Sequence, residues 1–325
     1  MGPVVISKAM LNGYSDFLKR YFPGKVQKLS VDGGFGCPNR DGTIGTGGCT
    51  YCNNLTFVPS YCSVHDSIQQ QLELGKQFFA RKYPEMQYLA YFQAHTNTYA
   101  PLSELMAKYE EALSVDGIVG LVIGTRPDCL PEELLQELSY LSKRTFVMVE
   151  IGIESLNDEQ LKRLNRGHTF AQTCDALHRL ADYGLLTAGH VILGLPGDTR
   201  DSILQQPAIL SALPLQILKL HQLQIVKGSR MAEDYKTHPN RFPMLFDTPE
   251  EYADVVCEYL RRLRPDMVVE RFTSQSPSHM LIAPRWGLKN HEFADILEKH
   301  MKQTGAYQGE LYEDCSGFSV FQNLE

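Results

Sequence analysis

The chain has 325 residues, 43% of them hydrophobic and 21% charged, with a formal net charge of −7 at pH 7. No 18-residue apolar stretch or signal-peptide core occurs, so no membrane is expected and the expected location is cytoplasmic, where eight cysteines are thiols or metal ligands rather than a disulfide framework. The acidic balance does not support a nucleic-acid partner, which calls for basic charge to neutralise phosphates; only a local patch would permit one.

Apolar strand-like runs alternate with helical stretches, which predicts repeated βα units and a parallel sheet. Strands are expected at 26–31, 88–93, 120–124, 146–153, 186–193 and 217–226, with helices near 65–82, 101–114, 131–143, 157–182 and 200–212. Pro101, Pro131-Glu132-Glu133 and Asp158-Glu159 read as helix starts, and Gly184 as a helix stop. The segment Asn165-Arg166-Gly167-His168 predicts a helix break within the fourth stretch. Because strand residues alternate faces, Glu150, Gly152 and Glu154 share one side and Val149, Ile151 and Ile153 the other. The acidic set is expected to face inward, with His190 and Gly194 on the fifth strand and Lys219 and His221 on the sixth. Either these groups bind a ligand, or Glu150, Lys219 and His221 form a buried ionic network.

The first βα loop is rich in glycine and carries Cys37, Cys49 and Cys52, with eleven residues between the first two and two between the last pair. An iron–sulfur cube takes four ligands, so a loop supplying three leaves one iron open to a small molecule. A competing pattern is Cys49-x2-Cys52 followed by Cys62-x2-His65, which has the spacing of a structural zinc site. That pattern ignores Cys37, and Cys62 reads as a small apolar filler.

With Tyr51 just before its last cysteine, the triad resembles the signature of radical S-adenosylmethionine (SAM) enzymes. The long first gap resembles the YhcC-like branch, related to the radical domain of the Elongator catalytic subunit. Tyr91–Ala100, Gly124–Cys129, Asn165–His168, His190–Gly197 and His221–Ser229 resemble the same branch in register. The resemblance implies an α/β fold, a partial (β/α)6 TIM-like barrel over residues 1–229, with a C-terminal α+β extension over 230–325 closing it. It implies a [4Fe–4S] cluster on Cys37, Cys49 and Cys52 and reductive cleavage of SAM. The 5′-deoxyadenosyl radical so formed would take hydrogen from an unknown substrate. A reductant such as flavodoxin or ferredoxin is implied as partner.

The resemblance also suggests cofactor contacts. Tyr51 would lie over the adenine through its backbone, and Glu154 stands where relatives carry a ribose-contacting glutamine. The usual Gly-Gly-Glu is lacking, which leaves Gln93, Thr96 or Asn97 for the methionine amino group. Gly194 would let the adenine approach the backbone, while Thr125 and His190 qualify by their positions on the strands. Arg126 would either pair with the methionine carboxylate or tie down its own loop through Asp128. Cys129 is a hydrogen-atom donor, a substrate-linking thiol or, more simply, a packed thiol, and Arg166 and His168 are further ligand candidates. In the extension Arg271, Arg285 and Trp286 are candidates to face substrate, Trp286 with plain packing as its alternative. Cys315 has no partner spacing for a second cluster. Two alternatives remain: a tRNA-modifying radical enzyme, and a zinc- or cluster-bearing binding protein without radical chemistry.

Overall fold

The computed structural model describes residues 10–56, 58–80 and 86–313; Cys315 lies outside them. A short helix α1 (Tyr14–Leu18) precedes β1 (Val26–Val31), and then strands and helices alternate: α2 (Ile68–Ala80), β2 (Gln87–Phe92), α3 (Leu102–Leu113), β3 (Ile118–Thr125), α4 (Glu132–Ser142) and β4 (Phe146–Glu154). After α5 (Asp158–Arg163) and α6 (Phe170–Asp182) come β5 (Leu186–Leu193), α7 (Arg200–Ser211) and β6 (Ile217–Gln222). All pairings in the main sheet are parallel, running from β1 to β6 in chain order with one further strand beside β6, and the sheet curls into a half-barrel.

The alternation read from the sequence explains the layers. Val147, Val149, Ile151 and Ile153 join the outer core with Leu177 and Leu180 of α6. Leu89, Tyr91, Val122, Met148, Ala188 and Ile217 point the other way and form a small inner core. Phe17 of α1 and Phe22 plug the bottom of that inner core. Above this apolar floor the inward positions turn polar, because Glu150 is the next inward residue of β4 after Met148.

The long fourth helical stretch is two helices. Asn157 caps α5, Thr169 caps α6 with a reciprocal Gln172 contact, and Asn165-Arg166-Gly167-His168 runs between them. The stretch 217–226 also divides: the chain leaves the sheet after Gln222, and β7 (Ile225–Val226) pairs antiparallel with β9 (Leu281–Ala283). A seventh strand from the C-terminal segment, β8 (Val268–Arg271), runs parallel beside β6. That segment also contributes α8 (Arg230–Thr237), α9 (Pro249–Arg262) and α10 (Asn290–Thr304). Trp286 packs against Tyr252 and Phe293 there, and its indole N–H donates to the Phe246 carbonyl at 3.0 Å, so it belongs to packing rather than to the barrel mouth.

Candidate active site

The cysteine loop leaves the C-terminal end of β1 and is anchored from three directions. The Thr50 N–H donates to the Leu164 carbonyl at 2.9 Å, and the Thr50 carbonyl accepts from the Met231 N–H at 2.9 Å. The Asn165 side chain donates to the Gly48 carbonyl at 2.9 Å, and Asn39, buried beneath the loop, donates to the Asn165 carbonyl. The break between α5 and α6 is thus the clamp that holds the loop.

Each of the last two thiols has a cation beside it. Arg166 Nη1 lies 3.6 Å from Cys49 Sγ and Arg40 Nη2 lies 3.6 Å from Cys52 Sγ. The Cys52 thiol lies 3.3 Å from Asn54 Oδ1, and Asn54 in turn contacts the His95 ring. Burial pushes the Cys52 thiol up, the neighbouring Cys49 adds to this, and Arg40 works against both. Arg166 also donates to the Gly152 carbonyl at 2.9 Å and stands 3.6 Å from Glu154. This approach requires glycine at 152, where a Cβ would fall 2.5 Å from Arg166 Nη2. Glu154, at the bulged end of β4, holds a left-handed φ of 67°, a costly conformation for a non-glycine residue.

The three thiols open into one cavity of about 650 Å³ inside the half-barrel mouth. Tyr51, Gln93, Thr125, Arg126, Glu154 and His190 line it too, drawn from the cysteine loop and from β2, β3, β4 and β5 or the residues just after them. Gln93 accepts from the Ser30 hydroxyl at 3.2 Å. Both readings of Arg126 have support: it grips Asp128 through Nε (2.9 Å) and Nη2 (2.8 Å), yet its buried Nη1 has no hydrogen-bond partner among the described residues.

Below the mouth, Glu150 accepts from Lys28 (2.7 Å), Tyr91 (2.6 Å) and Lys219 (2.9 Å), and lies 2.9 Å from His190 Nε2. This is the expected buried ionic network with His190 in place of His221, enlarged by Lys28 and by Glu270, which lies 2.6 Å from Lys28. Burial would raise the Glu150 carboxyl, but Lys219 and Lys28 outweigh it and hold it well below the usual range. Burial pushes the His190 imidazole down, and its ring stacks on His221 at 5.1 Å.

Two cofactor candidates lie elsewhere. Asn97 is fully buried and donates to the Phe92 and Gly124 carbonyls at 3.0 and 2.8 Å, so its amide ties β2 to β3 instead of lining the cavity. Gly194 does not line the cavity either: at φ 91° its Cβ direction runs into the Met244 carbonyl oxygen at 2.3 Å. The space on that side of Gly194 is filled by Met244 and Phe246. Cys129 is packed, with its thiol pushed up to about 12 chiefly by burial. Arg285 contacts the Ile282 carbonyl away from the cavity, whereas Arg271 lines it. Asn39, Arg40, Asn54 and His95 were not singled out in the sequence; Asn39 and Arg40 follow Cys37 within three residues, and that proximity was the available signal.

The donor set fits an iron–sulfur cluster. Three thiols face one cavity, two guanidiniums stand beside them, and the buried Arg126 Nη1 and Arg166 Nε are unpartnered among the described residues. A single zinc ion fits poorly: no three Cys, His, Asp or Glu side chains among the described residues are grouped to hold one metal ion. A cube gives each thiolate its own iron and tolerates a wider spread. Cys62 lies outside the thiol cavity and its thiol donates to the Ser30 carbonyl at 2.9 Å.

Residues 34–205 match the Radical SAM superfamily and residues 215–303 the Radical_SAM C-terminal domain. Protein YhcC of Escherichia coli K12 is 37% identical over 297 residues, covering 91% of this chain and 94% of that protein. Protein YtqA of Bacillus subtilis, itself uncharacterized, is 34% identical over 296 residues, covering 91% of each. The solved structure of the archaeal Methanocaldococcus infernus Elp3, lacking its N-terminal residues 1–46, superposes with a TM-score of 0.65 at 17% identity. It covers 88% of this chain and 64% of the archaeal one, and shows a shared fold. No helix among the described residues is long and apolar enough to cross a membrane.

Proposed function

The chain belongs to the radical SAM superfamily, whose enzymes use a [4Fe–4S] cluster and SAM, and from that premise we propose that it cleaves SAM reductively to start hydrogen abstraction from a substrate held in the same cavity. The observation that carries this reading is the convergence of Cys37, Cys49 and Cys52 on one cavity with Gln93, Arg126 and Glu154. The cysteines would hold the cluster. When bound, the cluster supplies one electron for breaking the SAM sulfonium bond, and SAM supplies the 5′-deoxyadenosyl radical.

The chain's own residues bind, orient and shield. Arg166 and Arg40 offset the negative charge that deprotonated Cys49 and Cys52 carry, which favours the ligating form. Arg126, braced by Asp128, presents its free Nη1 as donor to a carboxylate. Glu154 offers acceptor oxygens suited to two ribose hydroxyls, its position held by Arg166. Tyr51, packed against the cluster loop's apolar neighbours, keeps water from that side. A one-electron protein reductant such as flavodoxin or ferredoxin completes the scheme.

The test is anaerobic. Protein reconstituted with iron and sulfide is reduced, SAM is added, and 5′-deoxyadenosine is quantified beside a Cys49→Ala control. Formation in the wild type and not in the control is expected. A colourless chain that takes up zinc and yields no 5′-deoxyadenosine would overturn the reading.

A further inference from the structure

The charges in the cavity almost cancel, and of the two guanidiniums without a carboxylate, Arg40 and Arg271, only Arg40 has a thiol beside it. Arg126 is matched by Asp128 and Arg166 by Glu154. Lys28 and Lys219 are matched by Glu150 and Glu270 at 2.6–3.5 Å. Arg40 stands beside the Cys52 thiol. Arg271 lines the same cavity, and its side chain makes no hydrogen bond or ion pair among the described residues. Its backbone is held as the register partner of Lys219 on the last strand of the sheet, and the residue is half-buried. Nor can Glu270 serve it without leaving Lys28 and Lys219 short of charge.

Its surroundings are those of a recognition site. His221 Nε2 is buried with no hydrogen-bond partner among the described residues, while its Nδ1 is fixed 2.9 Å from the Ser274 hydroxyl. His221 and Ser274 line the cavity together with Arg271. Arg271 also lines a smaller cavity of about 380 Å³ between β1 and β8, the two edges of the half-barrel, and the two cavities share Ser30, Tyr91 and Gln93. The seam between those edges therefore leads to Arg271, on the edge of the sheet opposite the strand from which the cysteine loop departs.

We propose that the substrate is a small organic anion whose carboxylate or phosphate is bound by Arg271, with a neighbouring polar group meeting His221 Nε2. This rests on reading the cavity as the radical site. A guanidinium without a counter-ion in a half-buried pocket is a poor structural element, since it stabilises nothing until an anion arrives. Its planar fork matches both carboxylate and phosphate, which explains arginine at this position rather than lysine. The neutral network beneath it supplies no competing anion.

The experiment uses cluster-reconstituted protein with SAM bound, titrated calorimetrically with succinate, glycerol 3-phosphate and inorganic phosphate, and with succinamide and glycerol as neutral counterparts. At least one anion is expected to bind, with its neutral counterpart at least tenfold weaker; which anion binds separates carboxylate from phosphate recognition. Arg271→Gln is expected to weaken that anion at least tenfold and Arg271→Lys by less, both with SAM affinity within twofold of wild type. Unaltered SAM binding also reports that the variants fold. Anion binding that survives Arg271→Gln, equal binding of neutral probes, no anion binding at all, or loss of SAM affinity in the variants would each overturn the proposal. Failure of the wild type to hold a cluster and SAM would instead overturn the radical reading itself.

Discussion

Arg166 places one guanidinium nitrogen 3.6 Å from Cys49 Sγ and the other 2.9 Å from the Gly152 carbonyl, so a single side chain joins the cluster loop to the end of β4. Arg166 is almost fully buried, and Glu154 is its nearest carboxylate. Arg166→Ala leaves that carboxylate and the carbonyl short of a donor, a cost of about 2–4 kcal/mol. It also removes the cation that favours the Cys49 thiolate. The expected outcome is less iron and sulfide retained per chain after reconstitution, with Arg166→Lys intermediate. Iron content equal to wild type in Arg166→Ala would refute this role.

The βα order and the inward set were legible in the sequence because period-two alternation fixes which side chains share a face. Glu150, Glu154 and His190 on one side of their strands needed no tertiary information. Lys28 and Glu270 were not legible as members of the Glu150 network, since they come from the two edge strands and meet only once the sheet curls. The surroundings of Gly194 were not legible for a related reason. A glycine at positive φ in a Gly-Leu-Pro-Gly turn says that something approaches closely, and only the fold reveals that the visitor is Met244.

That contact makes a second prediction. Alanine at 194 would hold its Cβ 2.3 Å from the Met244 carbonyl oxygen at a φ of 91°, so both sterics and backbone oppose it. Gly194→Ala should destabilise the chain by about 2–4 kcal/mol. The midpoint of urea unfolding should fall accordingly, while SAM affinity at low temperature stays near wild type. Unchanged stability with weakened SAM binding would instead return Gly194 to the cofactor site.

His168 sets a pH dependence. Burial, and then the Arg166 guanidinium, push its pKa down to about 3. The unfolded chain takes up a proton near pH 6.5, whereas the folded chain stays neutral there. Stability is therefore full above about pH 6.5 and falls as pH drops toward 3, by up to about 1.4 kcal/mol per pH unit. Burial depresses His190 and His221 as well, in the same sense. Urea titrations of the cluster-free chain at pH 7 and pH 5 should show this loss, and His168→Asn should reduce the slope by up to one proton. A variant with the wild-type slope would show that His168 is protonated in the folded chain.

Cys62 separates the two metal readings. Burial pushes its thiol up to about 12, and the S–H donates to the Ser30 carbonyl, so nothing favours the thiolate a metal needs. Cys62→Ser keeps a donor for that carbonyl and should retain wild-type iron, sulfide and visible absorption after reconstitution. Cys37→Ser should lose most of all three, because an iron–sulfur cube would be left with two of its three protein ligands. The opposite pattern, with Cys62→Ser emptied of metal and Cys37→Ser intact, would assign Cys49, Cys52, Cys62 and His65 to a zinc site and make the cavity cysteine Cys37 an ordinary thiol.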